Sequence, residues 1–200
     1  MSQPDSPENP VRRGALVVIS GPSGAGKTSI CDALLARIPS SIWSVSVTTR
    51  PRRGEERDGV AYRFISPAEF ERMVAAGELL EHATYCGHRY GTPRRPIEEA
   101  VAAGRVAIVE IDVQGAAQVA QRVPESIRIF VLPPTMETLQ ARLAGRHTES
   151  EELQRKRIAE ADGEIAFARN SGVYQYSVTN DILDDSVKRV LDIIARETAR

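Results

Sequence analysis

Cysteine is scarce in this chain: Cys31 and Cys86 are the two among 200 residues. They lie far apart and form no CxxC pair, which excludes a zinc ribbon or a disulfide-stapled scaffold. The spacing permits one disulfide; two separate buried thiols in a reducing cytosol are the reading adopted. Aromatic residues make up 5% of the chain, and His82, His88 and His147 are too scattered for a metal centre or a catalytic triad. No apolar run approaches the ~20 residues of a membrane span. The opening MSQPDSPENPVRR lacks the apolar centre of a signal peptide and reads as a disordered tail over residues 1–13. A net charge of −1 gives no overall pull toward nucleic acid, so any anion site must come from local clustering. The expected address is the cytoplasm, with no membrane and no nucleic acid among the partners. Oligomeric state stays open between monomer and homo-oligomer.

With 42% hydrophobic and 26% charged residues, the composition is that of an ordinary globule. A chain of this length buries roughly 70% of its unfolded surface, enough for one core with an insert. The continuous apolar runs ALVVIS (15–20), RVAIVEID (105–112) and IRIFVL (127–132) read as strands buried on both faces. Helical patterns separate them, over 27–38, 93–103, 115–122 and from the Thr135 cap to Ala144. A long charged helix over 150–169, a strand over 176–180 and a helix over 186–200 follow. That alternation predicts an α/β fold with a parallel sheet flanked by helices. Between about 48 and 92 it breaks down. There Ser66-Pro67-Ala68-Glu69 starts a helix, and 79–90 reads as a hairpin turning at Gly87. Residues 42–47 alternate like one further strand.

Gly21, Pro22, Ser23, Gly24, Ala25, Gly26, Lys27 and Thr28 spell G-x-x-x-x-G-K-T between a predicted strand and a predicted helix. In that context the backbone N–H groups cradle phosphates, Lys27 reaches the β and γ phosphates, and Thr28 ligates Mg²⁺. Glu110 and Asp112 lie two apart, so a strand running to 112 would point both to one face at its C-terminal end. Two carboxylates there can hold Mg²⁺ through water or accept hydrogen bonds from a substrate. No N-K-x-D segment is present, as a regulatory GTPase would need. Arg50 and Arg53 form one arginine set, and Arg142, Arg146 and Arg157 another. Two sets suggest two phosphate-bearing ligands, one gripped by guanidinium forks and one closed over during transfer. That is the layout of a nucleoside monophosphate kinase, a P-loop NTPase fold.

The stretches GPSGAGKT, SVSVTTRPRRGE, GVAYRF, GELLEHATYCGHRYGTP, VEIDVQG, FVLPP, RLAGR and VTND resemble the guanylate kinase family from about Gly14 to the C-terminus. The resemblance implies ATP + GMP ⇌ ADP + GDP with Mg²⁺, in purine nucleotide metabolism. It implies a core (about 14–47, 93–141 and 170–200), a mixed GMP-binding insert (about 48–92) and a helical lid (about 142–169). By resemblance the GMP phosphate contacts fall on Arg50, Arg53, Tyr62 and Tyr90, and the guanine contacts on Ser46, Glu81, Thr92 and Asp112. Catalytic charge falls on Lys27, Arg50, Arg142, Arg146 and Arg157. Asn180 and Arg146 match positions near the adenine, and Thr28, with Glu110 through water, the Mg²⁺ site. A carboxylate such as Glu81 suits guanine, whose N1–H and N2–H₂ are adjacent donors.

Some positions depart from the family pattern. In Arg50-Pro51-Arg52-Arg53-Gly54-Glu55 an ungapped register selects Arg53, and a shifted gap would select Arg52. Ala61 stands where an acid is common, and His147 where a small residue is common. Two other readings are a related kinase for a sugar bisphosphate and a non-catalytic guanylate-kinase-like binding module.

Overall fold

The computed structural model describes residues 13–60, 62–85, 87–144 and 151–199. The expected tail before Arg13, Cys86, Arg146 and His147 lie outside the described residues. In chain order the elements are β1 (Ala15–Ser20), α1 (Lys27–Arg37), β2 (Ser41–Trp43), β3 (Val47–Thr48), β4 (Arg63–Phe64) and α2 (Pro67–Ala75). Next come β5 (Leu79–Tyr85), β6 (His88–Pro93), α3 (Arg94–Ala102), β7 (Val106–Glu110) and α4 (Val113–Arg122). Last are β8 (Ile127–Leu132), α5 (Met136–Ala144), α6 (Glu151–Asn170), β9 (Tyr176–Thr179) and α7 (Leu183–Thr198).

The main sheet has the order β2-β7-β1-β8-β9, and every neighbouring pair is parallel. Its central strand is apolar because both faces are covered. Val17 and Ile19 pack with α1 and α7 through Ile30, Leu34, Val187 and Val190. The alternate residues Leu16 and Val18 pack with α3 and α4 through Ile97, Ala100, Ala116 and Val119. The period-2 alternation of a strand thus feeds two separate cores. Cys31 is a buried free thiol of the first.

A second, mixed sheet has the order β4-β3-β6-β5. It shields a smaller core of Val47, Phe70, Met73 and Leu79 against α2. Ser66 caps α2 by accepting from the Glu69 N–H at 3.1 Å, with Pro67 at the first helical position, as the sequence pattern requires. β5 is an edge strand, and the outward backbone of an edge needs partners. Helix α4 supplies them. The Gln118 amide donates to His82 O at 2.7 Å and accepts from His82 N at 3.2 Å, and Arg122 donates to Leu80 O. Leu80 itself packs into the core under α4, while its neighbour Leu79 turns to the insert core. The two sheets are therefore clamped through one strand edge.

Three expectations need correction. Residues 42–47 are not one strand: β2 pairs with β7 in the main sheet and β3 pairs with β4 and β6 in the other. The alternation runs on because the chain passes from β2, at the edge of the main sheet, to β3, inside the second sheet between β4 and β6. Asp112 is not on a strand. It follows the end of β7 and caps α4, accepting from the Gly115 N–H at 2.8 Å. Helix α7 begins a turn before Ser186, whose hydroxyl donates back to Ile182 O at 3.0 Å instead of capping.

Ile108 lies mid-β7 with no solvent exposure, between α1 and the sheet. Ile108→Ala removes buried methyl groups where neighbouring strands cannot close the gap. Urea unfolding should show a loss of about 2–5 kcal/mol; a loss under 1 kcal/mol would mean this core repacks freely.

Candidate active site

The loop between β1 and α1 is where the main sheet meets its first helix. Gly26 there has a φ of +88°, and a β-carbon on it would lie 2.2 Å from Asn180 Nδ2. Only glycine serves at such a position. Asn180 lies just after β9, where its N–H donates to Leu132 O and its Nδ2 donates to Ala25 O at 2.8 Å. Its Oδ1 is buried without a partner among the described residues. It lines a recess of about 320 Å³ together with Gly24, Gly26 and Arg142, and Arg142 donates to Asn180 O at 3.2 Å. A buried, unpartnered amide oxygen is an acceptor for an exocyclic amine.

On the other side of the loop lies a larger cavity of about 370 Å³. Gly21, Ser23 and Lys27 from the loop line it, with Glu110, Asp112 and Arg157. Lys27 Nζ donates to Gly21 O at 2.7 Å and Pro22 O at 3.1 Å, and stands 3.9 Å from Glu110 Oε1. Thr28 Oγ1 donates to Glu110 Oε2 at 3.0 Å. A hydroxyl and a carboxylate at this separation are hard oxygen donors, a set that suits Mg²⁺ completed by water and phosphate oxygens. Arg157, on α6, donates to Ser23 Oγ at 2.9 Å and so ties that helix to the loop.

The opposite wall comes from the second sheet and the loop after β3. Arg50, 5% exposed, forks onto Glu56 at 2.7 and 3.0 Å. Glu56 also accepts from the Arg53 backbone N–H at 2.8 Å. The hydrogen bond to Glu56 raises the Arg50 pKa further, and the same bond lowers that of Glu56. The Arg50 guanidinium lies 5.4 Å from the Tyr62 ring centre, and Tyr62 meets Tyr90 edge-on at 5.8 Å. Arg53 joins Arg50, Tyr62 and Tyr90 in the cavity wall.

Ser46, Glu81 and Asp112 also line the cavity. Glu81 is 3% exposed, and Thr92, fully buried beneath it, donates to its Oε1 at 2.5 Å. Burial pushes the Glu81 pKa up to about 7, the Thr92 hydrogen bond opposing and the nearby Asp112 adding. A β-carbon at Gly115 would lie 2.4 Å from Glu81 Oε2, so a side chain there would displace the Glu81 carboxylate from its place on Thr92.

The structure thus gathers Gly21, Ser23, Lys27, Ser46, Arg50, Arg53, Tyr62, Glu81, Tyr90, Glu110, Asp112 and Arg157 around one cavity, with Arg142 and Asn180 at the neighbouring recess. Thr92 stands behind Glu81, its hydroxyl spent on that carboxylate. Sequence reasoning missed Glu56, Tyr85, Glu160 and Glu164. Glu56 gave a signal, a carboxylate six residues from Arg50 in an otherwise cationic loop. Glu160 and Glu164 gave a weaker one, lying at i+3 and i+7 from Arg157 on one helix face.

A phosphate loop on a parallel sheet, with an arginine-lined cleft clamped beside it, defines a P-loop phosphotransferase. The relatives narrow that class. Residues 13–197 match the family model described as guanylate kinase. A guanylate kinase of Symbiobacterium thermophilum is 48% identical over 188 residues, covering 94% of this chain and 88% of the relative. One of Desulfitobacterium hafniense is 44% identical, covering 94% and 92%. The crystal structure of guanylate kinase from Anaplasma phagocytophilum superposes with a TM-score of 0.77 at 30% identity, covering 96% of this chain and 90% of that one. The chain belongs to the guanylate kinase family.

Burial of Glu81 sets a pH dependence of stability. A carboxyl whose folded pKa lies near 7 holds its proton when the unfolded chain, with a pKa near 4.5, has released it. Its contribution to stability therefore falls as pH rises through that window, by up to about 1.4 kcal/mol per pH unit. Glu81→Gln removes this slope, so the variant should gain on the parent protein in denaturant midpoint between pH 5 and pH 8. A constant difference across that range would show that Glu81 ionises freely.

Proposed function

We propose that this chain transfers the γ-phosphoryl group of ATP to GMP, giving ADP and GDP, with Mg²⁺ accompanying ATP, in cytoplasmic purine nucleotide metabolism. The observation that carries the reading is the pairing, in one cavity, of a buried acceptor carboxylate at one end with two arginines and two tyrosines at the other.

GMP spans these ends. Its N1–H and N2–H₂ donate to Glu81, with Asp112 and Ser46 alongside, while Thr92 holds Glu81 in place. Adenine offers no such pair of donors, and a mispaired buried carboxylate can discriminate by roughly 10⁴. Arg50, Arg53, Tyr62 and Tyr90 take the phosphate of GMP, with Arg50 exchanging Glu56 for it. The ATP phosphates lie on the loop of Gly21 to Thr28, and adenine enters the recess where Asn180 Oδ1 waits for its amine. Thr28 and Glu110 would hold Mg²⁺, which supplies charge neutralisation on the phosphates.

The acceptor oxygen is already anionic at neutral pH, so the step needs no strong general base. Lys27, Arg142, Arg146 and Arg157 position the phosphoryl group and offset its charge during in-line transfer. The segments about 48–92 and about 142–169 close over the nucleotides and exclude water, which would otherwise accept the phosphoryl group.

A coupled ADP-release assay with ATP and Mg²⁺ tests the reading, offering GMP, AMP, UMP, CMP and ribose 1,5-bisphosphate separately. Turnover is expected with GMP alone. Turnover only with the sugar phosphate would overturn the guanine site while leaving the phosphate loop. For Arg53→Met the KM for GMP should rise roughly tenfold or more, as for a lost charge-assisted bond. An unchanged KM would remove Arg53 from the phosphate site.

A further inference from the structure

Helix α6 lines the cavity with Arg157 and Glu164, and Glu160 falls at i+3 from Arg157 on the same face. Arg157 is anchored on Ser23 of the phosphate loop. Glu160 accepts from the Tyr85 hydroxyl of β5 at 3.1 Å. Ala161, 1% exposed, packs with Leu139 and Leu143 of α5. The helix is thereby tied to the loop at one point and to the second sheet at another. One turn after Glu160 comes Glu164, which forms part of the cavity wall. Its Oε2 is buried and has no hydrogen-bond partner among the described residues.

A buried carboxylate oxygen left without a protein donor is costly, so a donor is expected from the molecule that binds in the cavity. Burial, with Asp112 and Glu160 nearby, raises the Glu164 pKa to about 7, and Lys27 pulls it back down. Those neighbours also locate the group. Glu164 shares the cavity wall with both Asp112, assigned above to the base, and Lys27, assigned to the phosphoryl group.

In its ionised form, which Lys27 favours, Glu164 can only accept, and GMP carries few donors. Its N1–H and N2–H₂ are taken at Glu81. Its phosphate is anionic and repels a carboxylate. The remaining donors are the 2′ and 3′ hydroxyls of the ribose, which lie between base and phosphate. We propose that Glu164 is a further substrate-binding residue that accepts hydrogen bonds from the ribose hydroxyls of GMP and favours ribose over deoxyribose acceptors. The proposal rests on GMP spanning Glu81 and Arg50 as set out above.

The test compares kcat/KM for GMP, 2′-deoxy-GMP and 3′-deoxy-GMP in the full-length parent chain, Glu164→Ala and Glu164→Gln. The parent should prefer GMP over at least one deoxy analogue by roughly tenfold, the size of one hydrogen bond to a charged group. In Glu164→Ala that preference should fall to within about twofold, through loss on GMP rather than gain on the analogue. Glu164→Gln keeps one acceptor oxygen and should retain part of it. A purely structural role would lower all three substrates together and leave their ratios intact. Unchanged ratios in Glu164→Ala, or a parent that does not distinguish the three, would overturn the assignment. Should GMP instead lie elsewhere, Arg53→Met would leave the KM for GMP unchanged, which separates that failure from this one.

Discussion

The burial of one carboxylate organises the site. Glu81 belongs to the edge strand of the second sheet, yet it is enclosed by the main body of the protein. Helix α4 contributes to that enclosure by presenting Gly115 where a β-carbon would push the Glu81 carboxylate aside. The same helix satisfies the exposed edge of β5 with Gln118 and Arg122. A charged group, a glycine and a strand edge are thus parts of one junction. To bury Glu81 is to dock one sheet on the other, and to dock them is to shape the cavity. The cost is a carboxyl that ionises reluctantly until a donor-bearing ligand arrives.

Elsewhere in the cavity the groups that would meet phosphate hold protein oxygens instead. Arg50 forks onto Glu56, Lys27 donates to the carbonyls of Gly21 and Pro22, Thr28 bonds Glu110, and Arg157 bonds Ser23. These contacts keep cations and hydroxyls in place at modest cost, and each can be exchanged for a phosphate oxygen of similar geometry. Preorganisation of this kind spares the reaction the entropy of assembling its charges. The arrangement also explains the crowded arginines after β3. They tolerate one another because Glu56 sits among them, accepting from the side chain of Arg50 and the backbone of Arg53.

Much of this was legible in the residues. The apolar run 15–20 and the phosphate loop behind it declare a strand, a turn and a helix, because both faces of β1 are buried and the turn needs its glycines. The capping box at Ser66 and the hairpin at Gly87 are local signals with local causes. What escaped depends on contacts between distant segments. The alternation over 42–47 is shared by two sheets, which periodicity alone cannot divide. Asp112 changed from strand residue to helix cap because β7 ends at Glu110, a boundary set by pairing with β1. That Thr92, expected among the guanine contacts, also supports Glu81 from beneath is a contact that only the fold reveals. Glu164 looked like one more acid on a charged helix, and only the cavity distinguishes it from its solvated neighbours.

If guanine binds at Glu81, the carboxyl gives up its proton to receive it, and calorimetry measures that release directly. GMP binding near pH 7, titrated in buffers of different ionisation enthalpy, should release about half a proton more from the parent protein than from Glu81→Gln. Equal proton release from the two proteins would contradict it, because Glu81 would then either be ionised before GMP arrives or take no part in binding the base.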